Sequence, residues 1–171
     1  MLNSIINTPH LTLKLASIDD ITILRKIYEE ALHCYTFDPG YEITSPEVIL
    51  RQGALPSNDM ANNSYIYTIC LNNHIIGYIE MYLGFPTTDN GYIPFLYITE
   101  AYKNREYAEE ILASLTDAFS NHNYKTVTVS TSIQSWKHLV FWHDCGFDTI
   151  LSIETDSVND SYGRMELQFI I

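Results

Sequence analysis

Y-I-P-F-L-Y-I-T-E-A-Y-K-N-R-E-Y-A-E-E-I-L-A-S-L-T-D-A-F, running from Tyr92 to Phe119, reads as a strand, a short polar loop and a helix. Tyr92 to Ile98 is an apolar, β-branched and aromatic run of strand length. From Ala108 the apolar residues fall at Ile111, Leu112, Leu115 and Phe119, which is the stripe of a helix with one buried face. Lys103, Asn104 and Arg105 lead directly into its first turn, and no residue there offers a side-chain cap. Backbone N–H groups exposed at a helix N-terminus and flanked by cations form an anion site, suited above all to phosphate.

A second signal lies downstream, at Phe141-Trp142-His143-Asp144-Cys145-Gly146-Phe147. Together the two resemble the GNAT superfamily of acetyl-CoA-dependent N-acetyltransferases. Those proteins carry a strand ending in L-x-[VI], a [QR]-x-x-G-x-[GA] loop opening a helix, and a later F-Y-x-x-x-G-F. Leu96-Tyr97-Ile98 matches the strand, and Lys103-Asn104-Arg105-Glu106-Tyr107-Ala108 occupies the loop. Ala108, Phe141 and Gly146-Phe147 fit the pattern. Lys103 replaces Gln or Arg, Glu106 the first Gly, and Trp142 the Tyr.

The rest of the chain orders itself around this unit. His10 to Leu15 alternates as a first strand, and Ser17 with Asp20 forms a capping box for a helix carrying Leu24, Ile27, Tyr28, Ala31 and Leu32 inward. Ser45-Pro46-Glu47 starts a short helix that Gln52-Gly53 closes, followed by a polar loop from Pro56 to Ser64. Tyr65–Leu71 and Ile75–Leu83 are strands joined at Asn72-Asn73-His74, because Asn tolerates positive φ. Lys125–Thr131 is a strand, Ser135 can cap the next helix, and Phe147–Ile153 with Arg164–Ile171 form a hairpin around an acidic loop from Glu154 to Tyr162. This order implies an α+β fold over one domain, residues 1–171. The resemblance makes it a GNAT-like mixed sheet of about seven strands in which Tyr92–Ile98 and Lys125–Thr131 are the two splayed parallel strands. Pro94 interrupts the first of these and calls for either a bulge or an edge position.

Composition narrows the partners. The net charge of −12, from 21 acidic against 9 basic residues, argues against nucleic acid and anionic membranes, which need a basic face. It suits a cationic acceptor as well as a merely solvated surface. Cys34, Cys70 and Cys145 are odd in number and far apart, as expected of reduced thiols in a cytoplasmic chain, and no signal peptide or membrane-spanning run is read. The six histidines show no metal spacing.

The resemblance implies acetyl-CoA as cosubstrate and an amine acceptor, on a small molecule or a peptide, with a homodimer admitted. The backbone of Arg105 to Ala108 would hold the pyrophosphate, Lys103 and Arg105 would add charge, and Ile98 would pair with the pantetheine arm. The backbone of Leu96, Tyr97 and Ile98 would polarise the thioester carbonyl. Ser135 stands where relatives contact the cofactor with Asn. Glu106 places a carboxylate near the phosphates. At a first-turn position, replacing it with Gly would cost helix stability.

An alkyl ammonium has a pKa of about 10 and needs a base to become a nucleophile. Glu80, on the face of Ile76, Tyr78 and Tyr82, is the candidate, either desolvated between the tyrosines or facing solvent. Asp89 and Glu100 are the other carboxylates in range. Trp142 cannot act as the acid that relatives place there, since an indole does not titrate. Cys145 reads as a small buried residue near a helix end. The reading from another class is a non-catalytic GNAT-like domain whose cofactor loop has decayed.

Overall fold

The computed structural model describes residues 2–35, 44–52, 63–103, 105–156 and 159–171. Among these, eight strands form one sheet in the order β1-β2-β3-β4-β5-β6-β8-β7. Strands β1 (Ile5–Asn7) and β2 (Thr12–Leu15) come first, then a 3-10 turn at Ile18–Asp20 and helices α1 (Ile21–Tyr35) and α2 (Pro46–Gln52). The chain continues through β3 (Ser64–Leu71), β4 (His74–Leu83), β5 (Asn90–Ile98), α3 (Tyr107–Asn121) and β6 (Thr126–Ser132). Helix α4 (Trp136–Asp144), β7 (Thr149–Asp156) and β8 (Asn159–Ile170) complete it.

Local chemistry sets most boundaries where the sequence puts them. The Ser17–Asp20 capping box is present, although it opens the 3-10 turn that leads into α1. Asn72 and Asn73 both take positive φ and close the β3–β4 hairpin. Four expectations need correction. Leu32, expected in the buried stripe of α1, is exposed instead. β1 is an addition to the expected strands, because three residues are too few to show a period. The Glu154–Tyr162 loop is largely strand, since β7 runs through Asp156 and β8 begins at Asn159. Ile76 leaves the face of Tyr78 and packs on the other side, because a bulge opposite Ile69 and Cys70 shifts the alternation of β4. Gly53 and most of the loop from Pro56 lie outside the described residues.

The sheet has an apolar layer on each face. Ile111, Leu112, Leu115 and Phe119 of α3 and Trp142 of α4 pack on Ile69, Ile79, Met81, Ile93, Val127 and Val129. On the other face Leu24, Ile27 and Ala31 of α1 and Ile49 of α2 cover Ile66, Tyr78, Phe95 and Tyr97. Gly91 lets α3 sit this close: a Cβ there would stand 2.5 Å from the Phe119 ring.

β5 and β6 are parallel and pair only from Asn90↔Thr126 to Ile93↔Val129. Beyond that they part. Against β4, Glu80 faces Phe95 while Tyr82 faces Tyr92, so Ile93 and Pro94 together oppose Met81. Pro94 therefore occupies a bulge in an interior strand, where its missing N–H breaks no ladder bond. The bulge and the end of β5–β6 pairing coincide, which opens a slit through the sheet.

Candidate active site

The slit holds a cavity of about 690 Å³, within the range of a cofactor site. Pro94, Leu96 and Ile98 line it from β5, and Ser130, Thr131 and Ser132 from β6. Leu96 and Ile98 share the face of α3 and α4, whereas Tyr97 packs with α1. The cavity is thus bounded from both sides of the sheet, with Tyr107, Ala108 and Glu109 of α3 and Ser135, His138 and Trp142 around its α3–α4 mouth.

At that mouth Glu106 is the N-cap residue of α3, in the left-handed region at φ 59°, and its side chain makes no cap bond. The first helical bond is from Glu110 N to Glu106 O at 3.1 Å. The N–H groups of Tyr107, Ala108 and Glu109 therefore lie ahead of the helix's own ladder, as helix starts require. Lys103 pairs with Glu100 and lies 4.5 Å from the centre of the Tyr97 ring. Arg105 lies over Tyr102 at 5.5 Å and donates to Ala101 O at 3.5 Å. Both cations line the cavity. Asn104 is outside the described residues.

The left-handed backbone corrects the expectation for Glu106. Gly would not weaken a helix interior there. It would relieve a conformation that side chains disfavour. Glu110, in the first turn of α3, ties the helix to the N-terminal strands. It accepts from His10 N at 2.8 Å, sits 2.7 Å from His10 Nδ1 and accepts from the Thr8 hydroxyl, so it fastens the β1–β2 turn to α3. Burial opposes its ionisation, but the bonds from Thr8 and His10 outweigh that and hold its carboxyl below the usual range.

Glu80 is 2% exposed, on the face of α1 and α2. Of the two environments open to it, the structure selects the desolvated one. Burial pushes its carboxyl up to about 7, and the Tyr82 hydroxyl, which donates to it, offsets only part of that shift. It does not itself line the cavity. Tyr82 is stacked on Tyr92, with ring centres 6.0 Å apart.

The other carboxylates are poorer bases. Asp89 is held low by hydrogen bonds from Thr87 and Lys125 at the far end of β5, and Glu100 is exposed against Lys103.

Ser135 occupies the N-cap position of α4, but its side chain makes no cap bond and instead borders the cavity. Trp142 is buried, edge-on to Phe141 at 5.0 Å and Phe147 at 5.2 Å, and so is fixed by packing. Burial, with Glu109 and Asp144 nearby, pushes the Cys145 thiol up to about 11, which leaves it a poor nucleophile.

Sequence reading missed Ser130 and Ser132, which line the cavity. A signal was present in Thr126-Val-Thr-Val-Ser-Thr-Ser132, an alternating strand whose polar face is buried against the slit instead of solvent.

Residues 13–160 match the family model described as an acetyltransferase (GNAT) domain. The chain belongs to the GNAT acetyltransferase family and is an acyltransferase by that membership. No curated protein matches the sequence.

Solved structures share the fold at low identity. An acetyltransferase from Thermus thermophilus superposes with a TM-score of 0.71 at 15% identity, over 96% of this chain and 99% of that one. The Salmonella typhimurium acetyltransferase that modifies the N-terminal serine of ribosomal protein L7/L12 gives 0.73 at 12% identity, over 98% and 99%. A GNAT family acetyltransferase from Elizabethkingia anophelis with acetyl-CoA bound gives 0.62 at 17%, over 95% and 99%. The mixed α+β architecture is theirs. Among the described residues no helix is long and apolar enough to cross a membrane.

Proposed function

We propose that the protein transfers acetyl from acetyl-CoA directly to a primary amine, with Glu80 taking the amine's proton, itself or through one water. The observation that carries this reading is a buried carboxylate with a near-neutral pKa on the α1–α2 face of β4, next to β5, with an open helix N-terminus at the mouth of the slit on the other face. A base works best when its pKa lies near the working pH. The bound cofactor of the Elizabethkingia structure and the amine target of the Salmonella enzyme support the same reading.

The residues present fit the cofactor. The N–H groups of Tyr107, Ala108 and Glu109 and the charges of Lys103 and Arg105 would meet the phosphates. The strand backbone at Leu96–Ile98 would take the pantetheine arm and polarise the carbonyl, and Ser135 would contact the cofactor at the mouth. Acetyl-CoA, when bound, supplies an acyl carbon activated by its thioester. The departing thiol has a pKa of about 8.5, so its release at neutral pH needs at most about 2 kcal/mol of help, and Trp142 need not supply an acid. The acceptor is an amine on a small molecule or a peptide, and a cationic one suits the −12 net charge.

Thiol release from acetyl-CoA with polyamine, aminoglycoside, amino-acid and N-terminal peptide acceptors tests the activity. Saturation at 100 times the dissociation constant should add about 2.7 kcal/mol of stability and raise the melting temperature by several degrees. Binding without turnover on any amine would favour the non-catalytic reading. Absence of binding at millimolar acetyl-CoA would remove the enzyme reading altogether.

A further inference from the structure

Glu30 belongs to α1, on the opposite face of the sheet from α3, yet its carboxylate reaches the start of the cofactor loop. Its Oε1 accepts from the Glu100 N–H at 2.7 Å and from the Tyr97 hydroxyl at 3.2 Å. Glu100 opens a 3-10 turn, Glu100–Tyr102, that leads the chain from β5 towards α3. Thr99, at the N-cap of this turn, makes no side-chain cap bond, so the carboxylate that caps it comes from α1. A 3-10 turn of three residues has little stability of its own and depends on such a partner. Lys103 closes the turn, its N–H donating to Glu100 O at 3.4 Å. The Lys103 ammonium pairs with the Glu100 carboxylate and lies 4.5 Å from the centre of the Tyr97 ring. Both residues that hold this side chain are therefore themselves held by Glu30.

Resting on the acetyl-CoA reading above, we infer that Glu30 is the positioning residue for Lys103: by holding the Glu100 N–H and the Tyr97 hydroxyl, it presets the lysine on the cavity wall for the cofactor's phosphates. Tyr97, Glu100 and Lys103 line the cavity and Glu30 does not, so Glu30 acts only through them. A lysine side chain has much rotamer freedom to lose, and fixing it before the ligand arrives moves that cost from binding to folding.

Calorimetric titration with acetyl-CoA, without any amine acceptor, tests this in a double-mutant cycle. Glu30→Ala should bind about fivefold more weakly, the scale of a lost hydrogen bond to a charged group. Lys103→Ala should weaken binding at least as much, and adding Glu30→Ala to it should lose less than about twofold more, because the two residues act in series. Glu30→Gln keeps an oxygen for the Glu100 N–H and should stay within about twofold of the natural protein. Glu29→Ala removes an exposed carboxylate one position away on α1 and should leave the affinity unchanged. Melts without ligand establish that each variant is folded. If Glu30→Ala is not, Tyr97→Phe, which removes only the hydroxyl that Glu30 holds, replaces it, with a loss of about twofold that vanishes in the Lys103→Ala background.

Natural affinity in Glu30→Ala or its replacement overturns the proposal and leaves the cofactor reading standing, as do losses that add in full with Lys103→Ala. Binding by Glu30→Gln as weak as that of Glu30→Ala, or an equal loss in Glu29→Ala, assigns the effect to charge instead of to the hydrogen bonds and overturns it too. Failure of the natural protein to bind acetyl-CoA overturns both readings together.

Discussion

Replacing Glu80 with Gln should change stability in a way that depends on pH with a known sign. The folded chain holds this carboxyl near 7, against an ordinary value of 4.5, because burial disfavours its charged form. Between those two values the folded state keeps a proton that the unfolded state has released, so this group makes the protein lose stability as pH rises through that window. Above about pH 7 the loss is complete, and at 1.36 kcal/mol for each pH step it amounts to about 3 kcal/mol.

Gln cannot ionise and keeps an oxygen to accept from Tyr82, but its new N–H donors are buried and cost about 1 kcal/mol. Glu80→Gln should therefore match the natural protein at pH 5, where the carboxyl has already cost about 1 kcal/mol, and be more stable at pH 8 by about 2 kcal/mol. Urea melts at pH 5, 6, 7 and 8 read this directly, and in heat melts each kcal/mol is worth about 2–4 °C in a domain of this size. Turnover at pH 7.5 should fall about 100-fold or more and the acidic limb of the rate profile should vanish, while acetyl-CoA affinity stays unchanged. Parallel stability curves for the two proteins would refute the raised pKa. Near-normal turnover in the variant would remove Glu80 from the chemistry.

Two further positions test the mouth of the slit and its support. Glu106→Gly should raise stability by about 1 kcal/mol without ligand, because it relieves the left-handed backbone, and a lower melting temperature would contradict that geometry. Glu106→Gln should tighten acetyl-CoA about fivefold at low salt, with the gain shrinking as salt rises; calorimetry showing no change would place that carboxylate away from the phosphates. Glu110→Ala releases the β1–β2 turn from α3 and should cost about 1–3 kcal/mol at pH 7. Since its carboxyl is held low, that contribution should fade as the pH falls through the acidic range, and a pH-independent difference in denaturant melts would show the clamp to be only packing.

Local sequence was enough for the strand–loop–helix around Lys103 to Ala108, since apolar period and cap chemistry depend on near neighbours. The same holds for the Asn72-Asn73 turn, whose positive φ values Asn tolerates by itself. Pro94 forced a choice between bulge and edge, and the sequence could not make it. The position of β5 in the sheet order decided it, because an interior strand leaves a residue without an N–H only a bulge.

Glu80 was visible as a carboxylate between tyrosines, yet its burial, and with it the raised pKa, comes from α1 and α2 packed over that face. Glu106 looked like a first-turn helix residue, and only the path of the chain from β5 into α3 put it at positive φ. The sequence marks β6 as a strand without saying where its polar face lies. Its place beside the slit depends on β8 lying between β6 and β7, a pairing between segments far apart in the chain. Period and propensity report on neighbours within a turn or a strand, whereas burial and the convergence of distant side chains exist only once the layers have packed.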